Sequence, residues 1–389
     1  MAVYLDHAAT TPLRPEAREA WLAATEAVGN PSSIHGAGQH ARRLLEDARE
    51  RLAEVLDCDP IEVILTSGGT ESINLALKGL WWERGDDRNA VVLPDGEHHA
   101  TLDTVEWLHA HEGAHLRGVA LDGVGRIPAE AFAAGMPGAA LATALVANNE
   151  IGTVNDAPAL SAAAADAGVP LHLDAVAAFG HVPVRYAAWR GSGASGSGLV
   201  ALSVSAHKIG GPVGVGALVV SRHAGIAALQ HGGGQQRGLR SGTQDVAGAA
   251  AFAVAAELAE RERESESVRL AALRDRLTAG IVDLVPGAVP LGDPQHRLPG
   301  NAHFLFPGAW GETLLFLLDQ RGISVSTGSA CQAGVPEPSH VVLALGRTDA
   351  EARQVLRFTL GATSSEADVD AVLRELPAAV ERARSASRS

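Results

Sequence analysis

Short apolar runs alternate with stretches in which apolar residues recur every three to four positions, and this alternation predicts an α/β fold built on a mainly parallel sheet. Residues 62–66, 90–93, 141–147, 169–174 and 200–205 read as strands, and residues 213–220 as a hairpin partner. Between 41 and 56, Leu44, Leu45, Ala48, Leu52, Val55 and Leu56 fall at helical spacing. A helical stretch over 71–78 follows the turn Ser67-Gly68-Gly69-Thr70, and a long helix is expected from Asp245 through the charged residues 257–266. Beyond that point the pattern changes. Residues 286–299 are rich in Pro, Gly and His and read as a loop, 302–306, 323–326 and 354–360 as strands, 313–320 as a helix, 327–338 as a loop, and 366–382 as an amphipathic helix. The expected division is a large domain over 15–259 and a smaller α+β domain made of 1–14 and 260–389.

Length agrees with that division, since 389 residues exceed the ~100–200 usual for one domain. No apolar run reaches the ~18 residues of a membrane span. The opening MAVYLDHAATTP has neither the basic end nor the apolar stretch of a signal peptide, so a cytoplasmic location is expected. A net charge of −14 argues against nucleic-acid binding, which calls for a basic face. The two cysteines, Cys58 and Cys331, do not suggest a disulfide framework, and a lone cysteine is a candidate nucleophile. Of 31 basic residues only Lys78 and Lys208 are lysine. Arginine cannot act as a neutral amine nucleophile, so the two lysines draw attention.

Several motifs carry candidate chemistry. Ser205, His207 and Lys208 follow an apolar run and enter a Gly/Pro-rich turn; the hydroxyl and imidazole suit a phosphate, and the amine suits an aldehyde. An ordinary solvated loop lysine is an equal alternative on spacing alone. Ser67-Gly68-Gly69-Thr70-Glu71-Ser72 joins a strand to a helix, where glycines and free N–H groups can admit a phosphate. Asp174 ends a buried strand, where a carboxylate could pair with a pyridinium nitrogen or simply cap a helix. His98, in Glu97-His98-His99-Ala100, could stack on a ring and move protons near neutral pH. Its neighbour gives no metal-ligand spacing, and no metal site is expected. Cys331 lies in a loop of small residues, which suits a thiolate that meets a substrate and carries a product away. Cys58, in a helix-to-strand connection, reads as structural.

Together these motifs resemble the cysteine desulfurases, a branch of the class V aminotransferase family of pyridoxal-phosphate (PLP) enzymes. The resemblance runs nearly end to end, from Tyr4-Leu-Asp6-His-Ala-Ala-Thr-Thr-Pro12 through Gly29-Asn-Pro-Ser-Ser33, Asn148-Asn-Glu-Ile-Gly152, Ala206-His-Lys208, Gly232-Gly-Gly-Gln235, Arg240-Ser-Gly-Thr243 and Gly328-Ser-Ala-Cys331 to the C-terminal helix. It implies a fold-type I PLP-dependent transferase. It also implies that Lys208 holds PLP, Asp174 meets the pyridine nitrogen, and His98 stacks on the ring. Gly69, Thr70, Ser205 and His207 would cradle the phosphate, and Asn149 would lie near the ring oxygen and the substrate carboxylate. Arg357 would grip that carboxylate and Cys331 would receive the sulfur. Thr243 would reach the phosphate of a neighbouring subunit, implying a homodimer. The implied reaction removes sulfur from L-cysteine, leaving L-alanine and a persulfide on Cys331 destined for an iron–sulfur scaffold or a tRNA-thiolation enzyme. Two positions depart from the family pattern: Ala177 stands where a glutamine is usual, and Ala362 where an arginine is frequent. A selenocysteine lyase, an aminotransferase, or a weakened homologue serving as a scaffold are the alternatives.

Overall fold

The computed structural model describes residues 2–191, 196–328 and 337–386; Cys331 lies outside the described residues. Among them twelve strands form three sheets: β1 (Val3–Tyr4), β2 (Val63–Thr66), β3 (Ala90–Pro94), β4 (His115–Val119), β5 (Ala139–Leu145), β6 (Pro170–Asp174), β7 (Gly198–Ser205), β8 (Gly216–Val220), β9 (Val289–Leu291), β10 (Asn301–Leu305), β11 (Ile323–Ser324) and β12 (Val355–Thr359).

The main sheet has the order β2-β8-β7-β6-β5-β3-β4. Its pairings are parallel except those of β8, which runs against both neighbours. Helices cover both faces, and the central strands are therefore buried almost throughout rather than alternating between buried and exposed. All seven residues of β5, AALATAL, are buried. Successive residues still point to opposite sides: Val92 and Leu171 enter one core, Val91 and Leu141 the other.

The helix Val246–Leu284 is 39 residues long and starts where the Asp245 side chain accepts the Gly248 N–H. Capping satisfies one of the otherwise unpaired N–H groups of a first turn. Its first half, through Ala259, packs on the main sheet. From Leu270 to Ile281 it packs into a separate core with Phe304, Phe306 and Phe358 and the helix Glu366–Ala386. The expected boundary near residue 260 thus lies inside one continuous helix. The second core is floored by the antiparallel sheet β12-β10-β9, while β1 pairs with β11 in a parallel two-stranded ribbon.

Two elements differ from expectation. Residues 286–299 are not wholly a loop, because Val289–Leu291 forms edge strand β9, where Pro290 is tolerated. Strand β4 shows no apolar signature because His115 to Gly118 are exposed at the sheet edge.

Phe304 is fully buried, stacked on Phe306 at 5.8 Å and edge-on to Phe358 at 6.4 Å. Phe304→Ala should cost about 3–5 kcal/mol through lost burial and a cavity. Calorimetric melting should show this as a lowered transition.

Candidate active site

The parallel strands of the main sheet end on one edge, and most of the expected site residues follow those ends. Asp174 is the last residue of β6, and Ser205 of β7. Lys208 closes a single 3₁₀ turn after β7. His98 follows β3, and Asn149 follows β5. Gly69 begins the helix Gly69–Trp82, reached from β2 through Gly68, whose φ of 149° favours glycine. Arg357 comes from the other core, on β12. All of these, with Thr70 and His207, line one cavity of about 390 Å³. Thr243 does not; it lies exposed in the loop before the long helix. Cys331 lies outside the described residues, but Ser326 and Gly328, shortly before it, line the cavity.

At one end of the cavity, no side chain caps the helix at Gly69. Its first-turn N–H groups therefore present a positive dipole end. A Cβ at Gly69 would come within 2.7 Å of Val176, so the close approach requires glycine. Among the described residues, the buried Ser205 hydroxyl has no hydrogen-bond partner. The His207 ring is hydrogen-bonded to the Thr10 hydroxyl at 3.2 Å.

Asp174 is buried, and its Oδ1 accepts the Val176 N–H at 2.9 Å. Burial pushes its carboxyl up to about 6, against the opposing pull of that hydrogen bond and of nearby Lys208. Lys208 Nζ donates to the Ala9 carbonyl at 2.9 Å and to the Ala8 carbonyl. His98 Nδ1 accepts the Ala100 N–H at 3.0 Å, which leaves the neutral ring's proton on Nε2. Burial, then the charge of Lys208, lowers its pKa to about 4. Arg357 is buried; Nη2 donates to Asp6 Oδ1 and Nη1 to the Asn149 carbonyl, both at 2.8 Å. By contrast, burial and the nearby Glu62 and Asp57 push the Cys58 thiol up to about 12, which keeps it from acting as a thiolate. Among the described residues no cluster of His, Cys, Asp and Glu could hold a metal ion.

Motif reading missed several wall residues. Asp6 and His7 line the cavity from the chain's first turn, and His181 lies beside Ala177 on its wall. Turns over 175–182, interrupted by Gly180 at a φ of 76°, bring His181 to this wall, and no spacing in the sequence signals it.

A mainly parallel sheet with its cavity at the strand ends, an amine and a buried carboxylate in that cavity, and a second sheet supplying an arginine define an α/β transferase of fold type I. The aminotransferase class-V family matches residues 3–372, and the chain belongs to that family. An IscS-like cysteine desulfurase of Mycobacterium tuberculosis is 49% identical over 99% of this chain and 98% of its own length. A cysteine desulfurase of Cereibacter sphaeroides is 40% identical over 99% of this chain and 97% of its own. A solved NifS-like protein is similar with a TM-score of 0.90 at 32% identity, over 98% of this chain and 100% of that one.

The raised carboxyl of Asp174 makes a prediction for the cofactor-free protein. Its folded pKa of about 6 exceeds the ordinary value of 3.8, so the folded state holds a proton that the unfolded state releases. Below the ordinary value both states are protonated, and the position costs nothing through ionisation. Stability is lost as pH rises toward the folded value, to a limit of about 3 kcal/mol at 1.36 kcal/mol per pH unit. Asp174→Asn should therefore melt like the parent near pH 4, to first order, and above it near pH 8. Equal melting temperatures at both pH values would remove burial as the cause.

Proposed function

We propose that this chain is a PLP-dependent cysteine desulfurase. The observation that carries the reading is that Lys208 and the buried Asp174 share one cavity with a glycine-opened helix terminus and an unpartnered Ser205 hydroxyl. These groups fit a phosphorylated pyridine aldehyde. Gly69, Thr70, Ser205 and His207 would hold the phosphate, Asp174 the ring nitrogen, and Lys208 the aldehyde carbon. His98 would lie against the ring, and Asn149 near its phenolic oxygen. The glutamine usual near that oxygen is replaced by Ala177, so that position offers only a methyl group. The bound cofactor supplies an electrophilic carbon and a ring that withdraws electrons.

The chain's own groups account for the rest. Arg357 offers donors to the cysteine carboxylate; among the described residues Nε is buried without a partner, and a planar guanidinium can pair with two oxygens. Lys208, freed from its carbonyl partners, or His98 removes the α-proton. His98 is neutral, since burial and then Lys208 hold its pKa down to about 4, but Nε2 carries the ring proton and Nδ1 is taken by the Ala100 N–H, so it takes a second proton only after that contact breaks. The Cys331 thiolate attacks the substrate sulfur. The substrate carbon–sulfur bond breaks, its electron pair stays with the carbon fragment, and proton uptake there yields L-alanine. The sulfur remains on Cys331 as a persulfide, a cap that a second thiol can remove.

The two cores support a division into a large domain, 15–259, and a smaller one, 1–14 with 260–389. Exposure of Thr243 away from its own cavity supports a homodimer in which it serves the second copy. An iron–sulfur scaffold or tRNA-thiolation protein is the proposed sulfur acceptor, in the cytoplasm. Among the described residues no helix is long and apolar enough to cross a membrane. The relatives' names favour cysteine desulfurase over a selenocysteine lyase or a scaffold.

Purified holoprotein given L-cysteine and a reductant should release alanine and sulfide in equal amounts. Cys331→Ala should abolish both while keeping the cofactor's visible absorbance, and Lys208→Ala should lose that absorbance. Pyruvate in place of alanine, or sulfide release by Cys331→Ala, would refute the assignment.

A further inference from the structure

We propose that Asp6 is a positioning residue that decides which edge of the Arg357 guanidinium meets the substrate carboxylate. The inference rests on the reading of Arg357 given above.

A guanidinium has five N–H donors, and long arginine side chains are free to turn unless they are held. Two of the five are committed inside this chain. One is held by the Asn149 carbonyl and one by Asp6 Oδ1. The first contact fixes one terminal nitrogen; the second fixes the roll of the plane. Among the described residues these leave the Nε–H, buried and unpartnered, and one hydrogen on each terminal nitrogen. An edge made of Nε and a terminal nitrogen can then receive two carboxylate oxygens side by side.

Asp6 is itself well held. Its backbone pairs with Thr359 in a parallel bridge, and its carbonyl accepts the Ala9 N–H at 3.0 Å and the Tyr4 hydroxyl at 3.1 Å. The Thr359 hydroxyl accepts the next amide but one, Ala8, at 2.9 Å. The same turn sends the Ala8 and Ala9 carbonyls to Lys208 Nζ. One turn therefore touches both the group that would grip the substrate and the amine that would attack it. Asp6 also lines the cavity, and its side chain keeps 23% exposure against 5% for Arg357. It is placed to set the guanidinium from the cavity wall rather than from beneath it.

The test uses holoenzyme and steady-state kinetics with L-cysteine. Asp6→Ala should raise KM about tenfold, equivalent to about 1.4 kcal/mol, with kcat within about threefold. Asp6→Asn keeps an acceptor oxygen and should restore KM to within about threefold of the parent. Removing a charge beside a buried guanidinium can unfold a protein, so Asp6→Glu gives an independent reading. It keeps the charge and displaces the carboxylate by one methylene, and it should raise KM while leaving the melting temperature unchanged. An unchanged KM in Asp6→Glu, a KM in Asp6→Asn as high as in Asp6→Ala, or a fall in kcat alone would overturn the proposal. Arg357→Ala separates the two readings. If KM is unchanged there, the carboxylate role of Arg357 has failed, and not merely its orientation by Asp6.

Discussion

Parallel strands can be joined only by a crossover that returns the chain to the starting edge, so all of them finish on the same side of the sheet. That constraint organises this protein. β2, β3, β5, β6 and β7 each deliver their following residues to one edge. Gly69, His98, Asn149, Asp174 and Lys208 meet there although they are spread over some 140 positions of sequence. The reversed strand β8 leaves this arrangement intact, because it enters the sheet as a hairpin partner of β7. The opposite wall must come from elsewhere. The long helix Val246–Leu284 carries the chain to a second core, whose sheet brings back Arg357.

Burial then sets the charge state of the cavity. His7, His98, His181 and His207 are all held below the ordinary imidazole value, with desolvation the largest cause in each. Behind the cavity, burial raises Glu97 to about 8, and its Oε1 accepts the Leu145 N–H at 2.8 Å. A protonated Glu97 spares the site a second buried negative charge next to Asp174. The formal charges that remain are concentrated on few groups, chiefly Lys208, Arg357, Asp6 and Asp174. The two positive ones, Lys208 and Arg357, suit the anionic groups of the proposed cofactor and substrate.

The first turn of the chain connects these charges. It is short, and it ties to both cores through Thr359 and His207. The Thr11 hydroxyl and amide both donate to the His207 carbonyl, at 2.8 and 3.0 Å. A segment with little apolar surface of its own is held by hydrogen bonds at the seam, where backbone groups would otherwise be buried unpaired.

Much was legible in the sequence. Largely apolar runs predicted central strands such as β5 and β7, because a strand covered on both faces has no solvent-facing side to show. The residues that share the cavity were legible by type: a scarce lysine after an apolar strand, an acid at a strand end, glycines before a helix. Polar edge strand β4 and short β9 were not, since neither buries enough apolar surface to leave a period. Nor were the partners. That Asp6 holds Arg357, 351 positions away, and that Lys208 rests on Ala8 and Ala9 follow from how two cores meet around the first turn. Local sequence determined the strands, the turns and the chemical types. Which groups touch, and which titrate away from their ordinary values, depends on distance and desolvation. Only the assembled tertiary structure decides these.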